Sequence, residues 1–187
     1  RKVTSKYLPP LTLENLPLEE ISIAEKLKSK DYLTAHVGKW HIGMNLPTTD
    51  GEDPWGEADK KKGTVDTNID WNGTITGGPT DVGFEYYYGI SASLDMPPYV
   101  WIENNRFTEP GTKPNDMCRP GPQGESFVFS EVLPIITKKS VAWIQKQAKT
   151  EKPFFLYMPL HSPHTPIVPS STFQGKSPFG KYGDFVM

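Results

Sequence analysis

The stretch at residues 35–43, Ala-His-Val-Gly-Lys-Trp-His-Ile-Gly, indicates both the fold and a candidate site. Residues 32–37, which are typical of a β-strand, lead into it, so we predict a buried strand that ends near Gly38. Side chains two positions apart in an extended chain point to the same side. Lys39 and His41 are therefore predicted to face one space, with Trp40 packed on the other side.

The end of such a strand is a favourable place for a ligand. In open α/β sheets, ligands bind beyond the carboxyl ends of the strands, which is where Lys39 and His41 fall. A fixed cation beside a hydrogen-bonding imidazole suits an anion with a labile proton nearby. Taken alone, however, a lysine and a histidine at this spacing are more often ordinary surface residues, and both interpretations stay open at this point.

The composition argues against several classes of function. The chain has 187 residues, enough for one domain with a sizeable core, and its formal net charge is −2. No basic surface is predicted, which argues against nucleic acid as a partner. No apolar run approaches the roughly 18 residues expected of a membrane span. Cys118 is the single cysteine, which excludes an internal disulfide framework.

Two helices and a second strand are predicted around the first strand. Residues 16–29 form the first helix, with Ile21, Ala24 and Leu27 on one apolar stripe. Residues 130–149 form the second, whose apolar face is predicted to contain Val132, Ile135, Ile136, Val141 and Ile144, with Trp143 beside it. The apolar run at residues 154–158 is typical of a buried, parallel strand. Residues 45–80 and 107–125 are predicted to be long loops.

Three motifs, in this order, resemble the sulfatase family. Residues 38–43, Gly-Lys-Trp-His-Ile-Gly, are similar to its G-K-W-H-x-G signature. Residues 83–89, Gly-Phe-Glu-Tyr-Tyr-Tyr-Gly, are similar to its G-F-D-x-F-Y-G segment. Residues 154–166 resemble its strand and histidine loop. The likeness covers nearly the whole chain but only the middle of a sulfatase, and it points to the arylsulfatase and N-acetylgalactosamine-6-sulfatase group.

The resemblance implies a fold and an activity. The fold would be the α/β sandwich of the alkaline-phosphatase-like superfamily, with a mainly parallel sheet, and residues 1–187 would be part of one catalytic domain truncated at both ends. Residues 184–187 look like the start of a helix. The activity would be hydrolysis of a sulfated carbohydrate or an aryl sulfate by a periplasmic or secreted enzyme. A phosphoester or phosphonate hydrolase of the same superfamily, and an inactive sulfatase-like domain that binds glycan, are the alternatives.

The resemblance also implies the roles of site residues. Lys39 and His164 would bind the sulfate, and His41 would hydrogen-bond the nucleophile and help to move its proton. His161 matches a variable place and is expected to be structural or peripheral. The nucleophile would be formylglycine and the metal would be calcium, with the modified residue and the metal ligands expected outside this chain. No metal site is predicted within it.

The one cysteine of the chain does not match the family's nucleophile motif, C-x-P-[SA]-x-R. Cys118 begins a Cys-Arg-Pro triplet, but Gly121 stands where serine or alanine is required, and Gln123 stands where arginine is required. The motif also precedes G-K-W-H in the family. Cys118 is therefore interpreted as a loop cysteine.

Residues 91–105 are a candidate specificity segment. Aromatic rings alternate there with carboxylate and amide groups, a mixture that suits sugar binding. The candidate substrate-binding residues are Asp95, Trp101 and Asn104. An ordinary β-hairpin is the competing interpretation.

Overall fold

The computed structural model describes residues 20–52, 54, 67–115 and 117–187. Its helices are α1 (Ile23–Lys28), α2 (Val132–Gln147) and α3 (Gly180–Val186). Its strands are β1 (Leu33–Lys39), β2 (Tyr86–Ile90), β3 (Ile102–Glu103), β4 (Arg106–Phe107), β5 (Gly111–Asn115), β6 (Gly121–Gly124) and β7 (Phe154–Tyr157). Strands β5 and β6 form a separate hairpin.

The central sheet has the strand order β4-β3-β2-β1-β7. Strand β1 lies parallel to both β2 and β7, whereas the β2–β3 and β3–β4 pairs are antiparallel. The three parallel strands therefore end at one edge of the sheet, and the loops that follow them emerge there. The mixed α/β fold with a mostly parallel centre is confirmed.

Helices α1 and α2 cover opposite faces of this sheet. Tyr87 and Tyr88 are neighbours in β2, so their side chains point to opposite faces. Tyr87 belongs to a buried cluster with Ala24 of α1, and Tyr88 belongs to one with Val132 and Ile136 of α2. This arrangement is the predicted sandwich, and it leaves the strand ends free to carry functional residues.

Helix α1 is shorter than predicted. It begins at Ile23, because the Ser22 hydroxyl accepts a hydrogen bond from the Glu25 N–H (3.0 Å) and the Glu25 carboxylate accepts one from the Ser22 N–H (2.8 Å). Ile21 precedes the helix and is 76% exposed, so only Ala24 of the predicted stripe is fully buried. Residues 16–19 of the predicted helix lie outside the described residues.

The predicted apolar face of α2 is partly wrong. The buried positions of the helix are Val132, Ile136, Ser140, Trp143 and Gln147. They follow the spacing of three or four residues that keeps side chains on one face of a helix. Val141 is 47% exposed, and Ile144 is also exposed, because both lie off this stripe. Trp143 belongs to the buried face and packs edge-on against Phe154, with ring centroids 5.4 Å apart.

The burial predicted for the last strand is also wrong. Strand β7 runs parallel to β1 as expected, but it forms an edge of the described sheet, and Phe154 and Tyr157 are both partly exposed. An edge strand has a hydrogen-bonded neighbour on one side only, so fewer side chains cover it.

The described parts of the predicted long loops contain regular hydrogen-bonded pairs of segments. Residues 107–125 contain the β5–β6 hairpin. In the described parts of residues 45–80, bridges join Asn45 to Thr76 and Thr48 to Ile69, and Ile69 is buried in the core. The lysines at positions 60–62 lie outside the described residues. Residues 184–186 belong to α3, which begins at Gly180, earlier than predicted.

Candidate active site

Three loops meet at the edge where the parallel strands end. The Lys39 N–H at the end of β1 donates to the Pro159 carbonyl in the loop after β7 (3.1 Å). The His41 N–H donates to the Ser91 carbonyl in the loop after β2 (2.9 Å). The two neighbouring loops are therefore both hydrogen-bonded to the short segment that carries Lys39 and His41.

A glycine at position 38 makes this close approach possible. Gly38 has a φ of 145°, and a Cβ atom there would lie 2.2 Å from the Pro159 carbonyl oxygen. Its register partner on β2 is Gly89, where a Cβ atom would lie 1.7 Å from the Gly38 oxygen. Glycine is the residue that tolerates both the positive φ and the missing space.

His41 reaches the site by a different backbone geometry from the one predicted. Its φ is 58°, so Lys39 and His41 are not related by simple strand alternation. The pKa of His41 lies below its ordinary value, because burial disfavours the imidazolium and the charge of Lys39 disfavours it further. Lys39 and His41 therefore share one space. Trp40 is buried on the other side and donates its ring N–H to the Gly43 carbonyl (2.6 Å).

Ser93 orients the imidazole of His41. Its hydroxyl lies 2.8 Å from Nδ1 of His41, which leaves Nε2 as the ring nitrogen available to a ligand. Ser93 lies within the segment at residues 91–105, but it was not among the predicted site residues. A hydroxyl side chain two residues before Asp95 is the only feature of the sequence that points to this role.

His164 and Asp95 lie at the same edge of the sheet. Nδ1 of His164 is 2.7 Å from the Thr165 carbonyl, which can only accept, so Nδ1 carries the proton and Nε2 remains for a ligand. The Asp95 carboxylate lies 3.8 Å from the same Nδ1, and its buried Oδ1 has no hydrogen-bond partner among the residues that the structure describes. The charges of Asp95 and His164 both act on the pKa of His41. Lys39, His41, Asp95 and His164 thus form one site.

The structure does not bring Trp101 and Asn104 to this site. Trp101 is 2% exposed and stacks on Tyr88 in the core, with ring centroids 5.1 Å apart. Asn104 lies in the turn between β3 and β4, and its side-chain oxygen accepts a hydrogen bond from the Tyr87 N–H (3.1 Å). Both side chains are used within the fold, so the sugar-binding role predicted for them does not fit their positions.

Arg119 and Cys118 lie near the site. Arg119 was not among the predicted site residues. The charge of Arg119 contributes to the lowered pKa of His41. The pKa of the Cys118 thiol is raised, first by burial and then by the Asp95 carboxylate. A raised pKa makes the thiolate scarcer, which is the opposite of an activated nucleophile. This supports the interpretation of Cys118 as a loop cysteine.

His161 is buried beside the site. It is 1% exposed, and neither ring nitrogen has a hydrogen-bond partner among the described residues. Burial lowers its pKa to about 3, and the charges of Lys39 and His164 add to this. His161 is therefore neutral at physiological pH.

No metal-binding cluster is present in the described part of the chain. No group of three or more histidine, cysteine, aspartate or glutamate side chains there is arranged to hold a metal ion. The described residues therefore do not fit a calcium site.

Comparison with protein families gives the identity of the fold. The family model described as Sulfatase matches residues 2–184. The chain belongs to the sulfatase family. The paired motifs at the ends of β1 and β7 are thus sulfatase motifs, and the domain is part of an alkaline-phosphatase-like α/β fold.

Several curated sulfatases are similar to this chain. An N-acetylgalactosamine-6-O-sulfatase of Bacteroides thetaiotaomicron is 30% identical over 208 residues, covering 89% of the chain and 36% of the relative. Mouse N-acetylgalactosamine-6-sulfatase is 27% identical, covering 96% of the chain and 29% of the relative. Human arylsulfatase A is 26% identical, covering 96% and 32%. The chain thus spans about a third of the length of these relatives.

Solved structures agree with this assignment. A structure reported for the metabolism of multiple glycosaminoglycans by Bacteroides thetaiotaomicron matches with a TM-score of 0.73 and 26% identity, covering 98% of this chain and 42% of the other. A sulfatase from Pseudoalteromonas sp. matches with a TM-score of 0.57 and 20% identity, covering 89% of this chain and 31% of the other, and shows the shared fold alone.

Proposed function

We propose that the whole protein is a sulfuric-ester hydrolase that removes sulfate from a sulfated carbohydrate or an aryl sulfate. The observation that carries the proposal is the convergence of Lys39, His41 and His164, from the ends of two parallel strands, on one space. Family membership supports a sulfate ester as the substrate class. The names of the relatives include both N-acetylgalactosamine-6-sulfatases and an arylsulfatase, so the proposal covers both kinds of ester.

The three side chains have complementary tasks in this proposal. Lys39 binds a sulfate oxygen and stabilises the negative charge that develops on it. The lowered pKa of His41 favours its neutral ring. In the tautomer whose Nδ1–H donates to the Ser93 hydroxyl, Nε2 accepts a proton from the attacking group. The Nδ1–H of His164 is used by the Thr165 carbonyl, so its contact with the sulfate or the leaving oxygen is made by the imidazolium, which donates Nε2–H.

The nucleophile and the metal belong to the same proposal. Formylglycine, when present in the whole protein, supplies a nucleophilic hydroxyl, and Lys39 and His41 are the residues of this chain that would hold it. Its position is proposed to lie outside this chain, because Cys118 fails the motif. Calcium is proposed to be held by residues beyond the described ones, and no step is assigned to it here.

The location of the protein is proposed from the family resemblance. Within the described ranges, no helix is long and apolar enough to cross a membrane. A periplasmic or secreted location, which the family resemblance implies, is part of the proposal.

Substitution of the anion-binding side chains tests the function. In the full-length protein, we expect Lys39→Ala and His164→Ala each to lower kcat/KM for 4-nitrophenyl sulfate by about a hundredfold, the scale of one lost transition-state donor. Lys113→Ala is the control, because this exposed lysine pairs with Glu125 on the β5–β6 hairpin. Near-normal turnover by a folded Lys39 or His164 variant would contradict the proposed role of that residue.

Faster hydrolysis of 4-nitrophenyl phosphate than of the sulfate would favour the phosphoesterase, and binding of sulfated glycan without turnover would favour the inactive domain.

A further inference from the structure

The tip of the β5–β6 hairpin is anchored beside the active site. Tyr99 is fully buried, and its N–H donates to the Pro122 carbonyl (2.9 Å), while its carbonyl accepts from the Gly124 N–H (3.0 Å). The Tyr99 hydroxyl also donates to the main-chain carbonyl of Arg119 (2.7 Å). Three hydrogen bonds from one buried residue therefore fix Arg119 relative to the segment that begins at Asp95.

Arg119 and Asp95 flank the same space. The positive charge of Arg119 and the negative charge of Asp95 both act on His41, with opposite effects on its pKa. The same two charges also act, again in opposite directions, on Tyr99 and Cys118. The main-chain geometry agrees with this, because the Arg119 carbonyl is hydrogen-bonded to Tyr99, which lies four residues after Asp95 in the chain. Asp95 also has a buried oxygen, 3.8 Å from the His164 imidazole, that has no hydrogen-bond partner in the described part of the chain.

We propose that Asp95 and Arg119 form a subsite for the sugar ring that carries the scissile sulfate, binding its uncharged hydroxyl or amide groups. A carboxylate accepts hydrogen bonds from sugar hydroxyls, and a guanidinium donates to their oxygens, so the pair offers both kinds of contact. A second anionic group is a poorer ligand for this subsite, because the Asp95 charge repels it. This inference rests on the proposed sulfatase function and assigns the substrate side of that same site.

The test compares sugar and aryl substrates of the full-length protein. The sugar probes are N-acetylgalactosamine 6-sulfate, N-acetylgalactosamine 4-sulfate and galactose 6-sulfate, and the aryl probe is 4-nitrophenyl sulfate, which has no hydroxyl groups for the subsite. For the sugar that the wild type hydrolyses fastest, we expect Arg119→Ala to lower the ratio of sugar to aryl kcat/KM by about tenfold, the scale of one charged hydrogen bond. For Arg119→Lys, we expect a ratio of sugar to aryl kcat/KM between those of the wild type and Arg119→Ala, because lysine keeps the charge but lacks the planar guanidinium.

Control variants and outcomes separate this inference from the proposed function. Lys113→Ala removes a cation from strand β5 of the same hairpin, where it pairs with Glu125, and is expected to leave the ratio unchanged. The subsite is overturned if Arg119→Ala loses kcat/KM equally on sugar and aryl substrates, or loses none. It is also overturned if the wild type hydrolyses the aryl sulfate but none of the sugars. Wild-type protein that hydrolyses neither class would instead overturn the proposed function.

A second comparison tests the preference for uncharged groups. The loss in Arg119→Ala is measured on a monosulfated sugar and on the same sugar with a second sulfate. We expect the monosulfated sugar to lose at least as much kcat/KM as the disulfated one. A loss confined to the disulfated sugar would show that Arg119 binds a second anion and would overturn the uncharged subsite.

Discussion

The Ser93 hydroxyl lies 2.8 Å from Nδ1 of His41, and this contact joins the loops that follow two neighbouring parallel strands. The His41 main chain is held by the same loop, through the Ser91 carbonyl. Backbone and ring are thus both fixed by residues that follow β2, although His41 itself follows β1. This double attachment stabilises the positive φ of His41 and directs Nε2 away from Ser93.

Removal of the Ser93 hydroxyl tests this orientation. We expect Ser93→Ala to lower kcat/KM for 4-nitrophenyl sulfate about tenfold, the equivalent of one hydrogen bond of about 1.4 kcal/mol, with the protein still folded. Ser91→Ala is the matched control, because the contact to His41 uses the main-chain carbonyl of Ser91, and its buried hydroxyl has no partner within the described ranges. Unchanged steady-state kinetics in Ser93→Ala would show that the hydroxyl does not position the ring.

The close contact at Gly38 gives a second prediction. Gly38→Ala is expected to destabilise the protein by about 1–3 kcal/mol and to lower turnover, because the new Cβ pushes Pro159 and with it the loop that carries His164. Thermal unfolding and kcat/KM measure the two effects.

Gly51→Ala is the control for backbone strain in this experiment. Gly51 also has a positive φ, 78°, but an added Cβ atom there meets nothing within 4 Å. A Gly38→Ala variant that behaves like Gly51→Ala in both measurements would contradict the steric argument.

The sequence was sufficient for the parts that depend on local pattern. The residues before Lys39 form a buried strand, and the motifs around Lys39 and His164 lie at the ends of parallel strands, as predicted. Two strands that end at the same sheet edge place their following residues together whatever the intervening chain does. The mostly parallel fold follows from the same order of elements.

The parts that the sequence did not predict depend on long-range contacts. Trp101 was predicted to bind a sugar but is buried. The alternation of side chains along a strand does not show which face of the sheet another element covers. Arg119 lies far from His41 in the chain, and its main chain is held by the hydroxyl of Tyr99, a long-range contact that the sequence pattern does not show. On α2, hydrophobicity favoured Val141 over Ser140, whereas helix geometry buries Ser140.

Burial of His36 predicts a loss of stability in acid. Its Nε2 lies 3.0 Å from the Lys39 carbonyl, and its ring packs edge-on against Trp40, Phe84 and Tyr87. Burial lowers the pKa of His36 from 6.5 to about 4. Between these values the unfolded chain binds more protons than the native state, so stability falls as the pH decreases through this window, by up to about 1.4 kcal/mol per pH unit.

Urea unfolding of the protein at pH 7, 6 and 5 measures this dependence. We expect His36→Phe, which keeps an aromatic ring but cannot be protonated, to show a shallower fall in unfolding free energy than the wild type. The buried His161, with a pKa of about 3, contributes in the same direction in both proteins. Equal slopes for the two proteins would contradict the assignment of this effect to His36.

The position of Trp101 predicts a structural phenotype. We expect Trp101→Ala to destabilise the protein by about 3–5 kcal/mol, because the ring is buried and contacts Tyr88 and Phe127. Trp101→Phe is expected to be milder and to leave the ratio of sugar to aryl kcat/KM unchanged. A changed ratio in a Trp101→Phe variant of normal thermal stability would instead indicate a role in substrate binding.

The two histidines of the loop after β7 are expected to fail in different ways. His164 is exposed and uses its ring on the Thr165 carbonyl, so His164→Ala should change the unfolding free energy by no more than about 0.5 kcal/mol while turnover falls about a hundredfold. His161 is buried, so His161→Ala leaves a cavity and is expected to cost about 2–3 kcal/mol of stability with a smaller loss of turnover. Thermal unfolding and kcat/KM of both variants, measured well below their Tm values, separate the two effects. If folded His161→Ala loses more turnover than His164→Ala, the sulfate-binding role belongs to His161, and the unpartnered nitrogens of its buried ring would be the atoms that carry it.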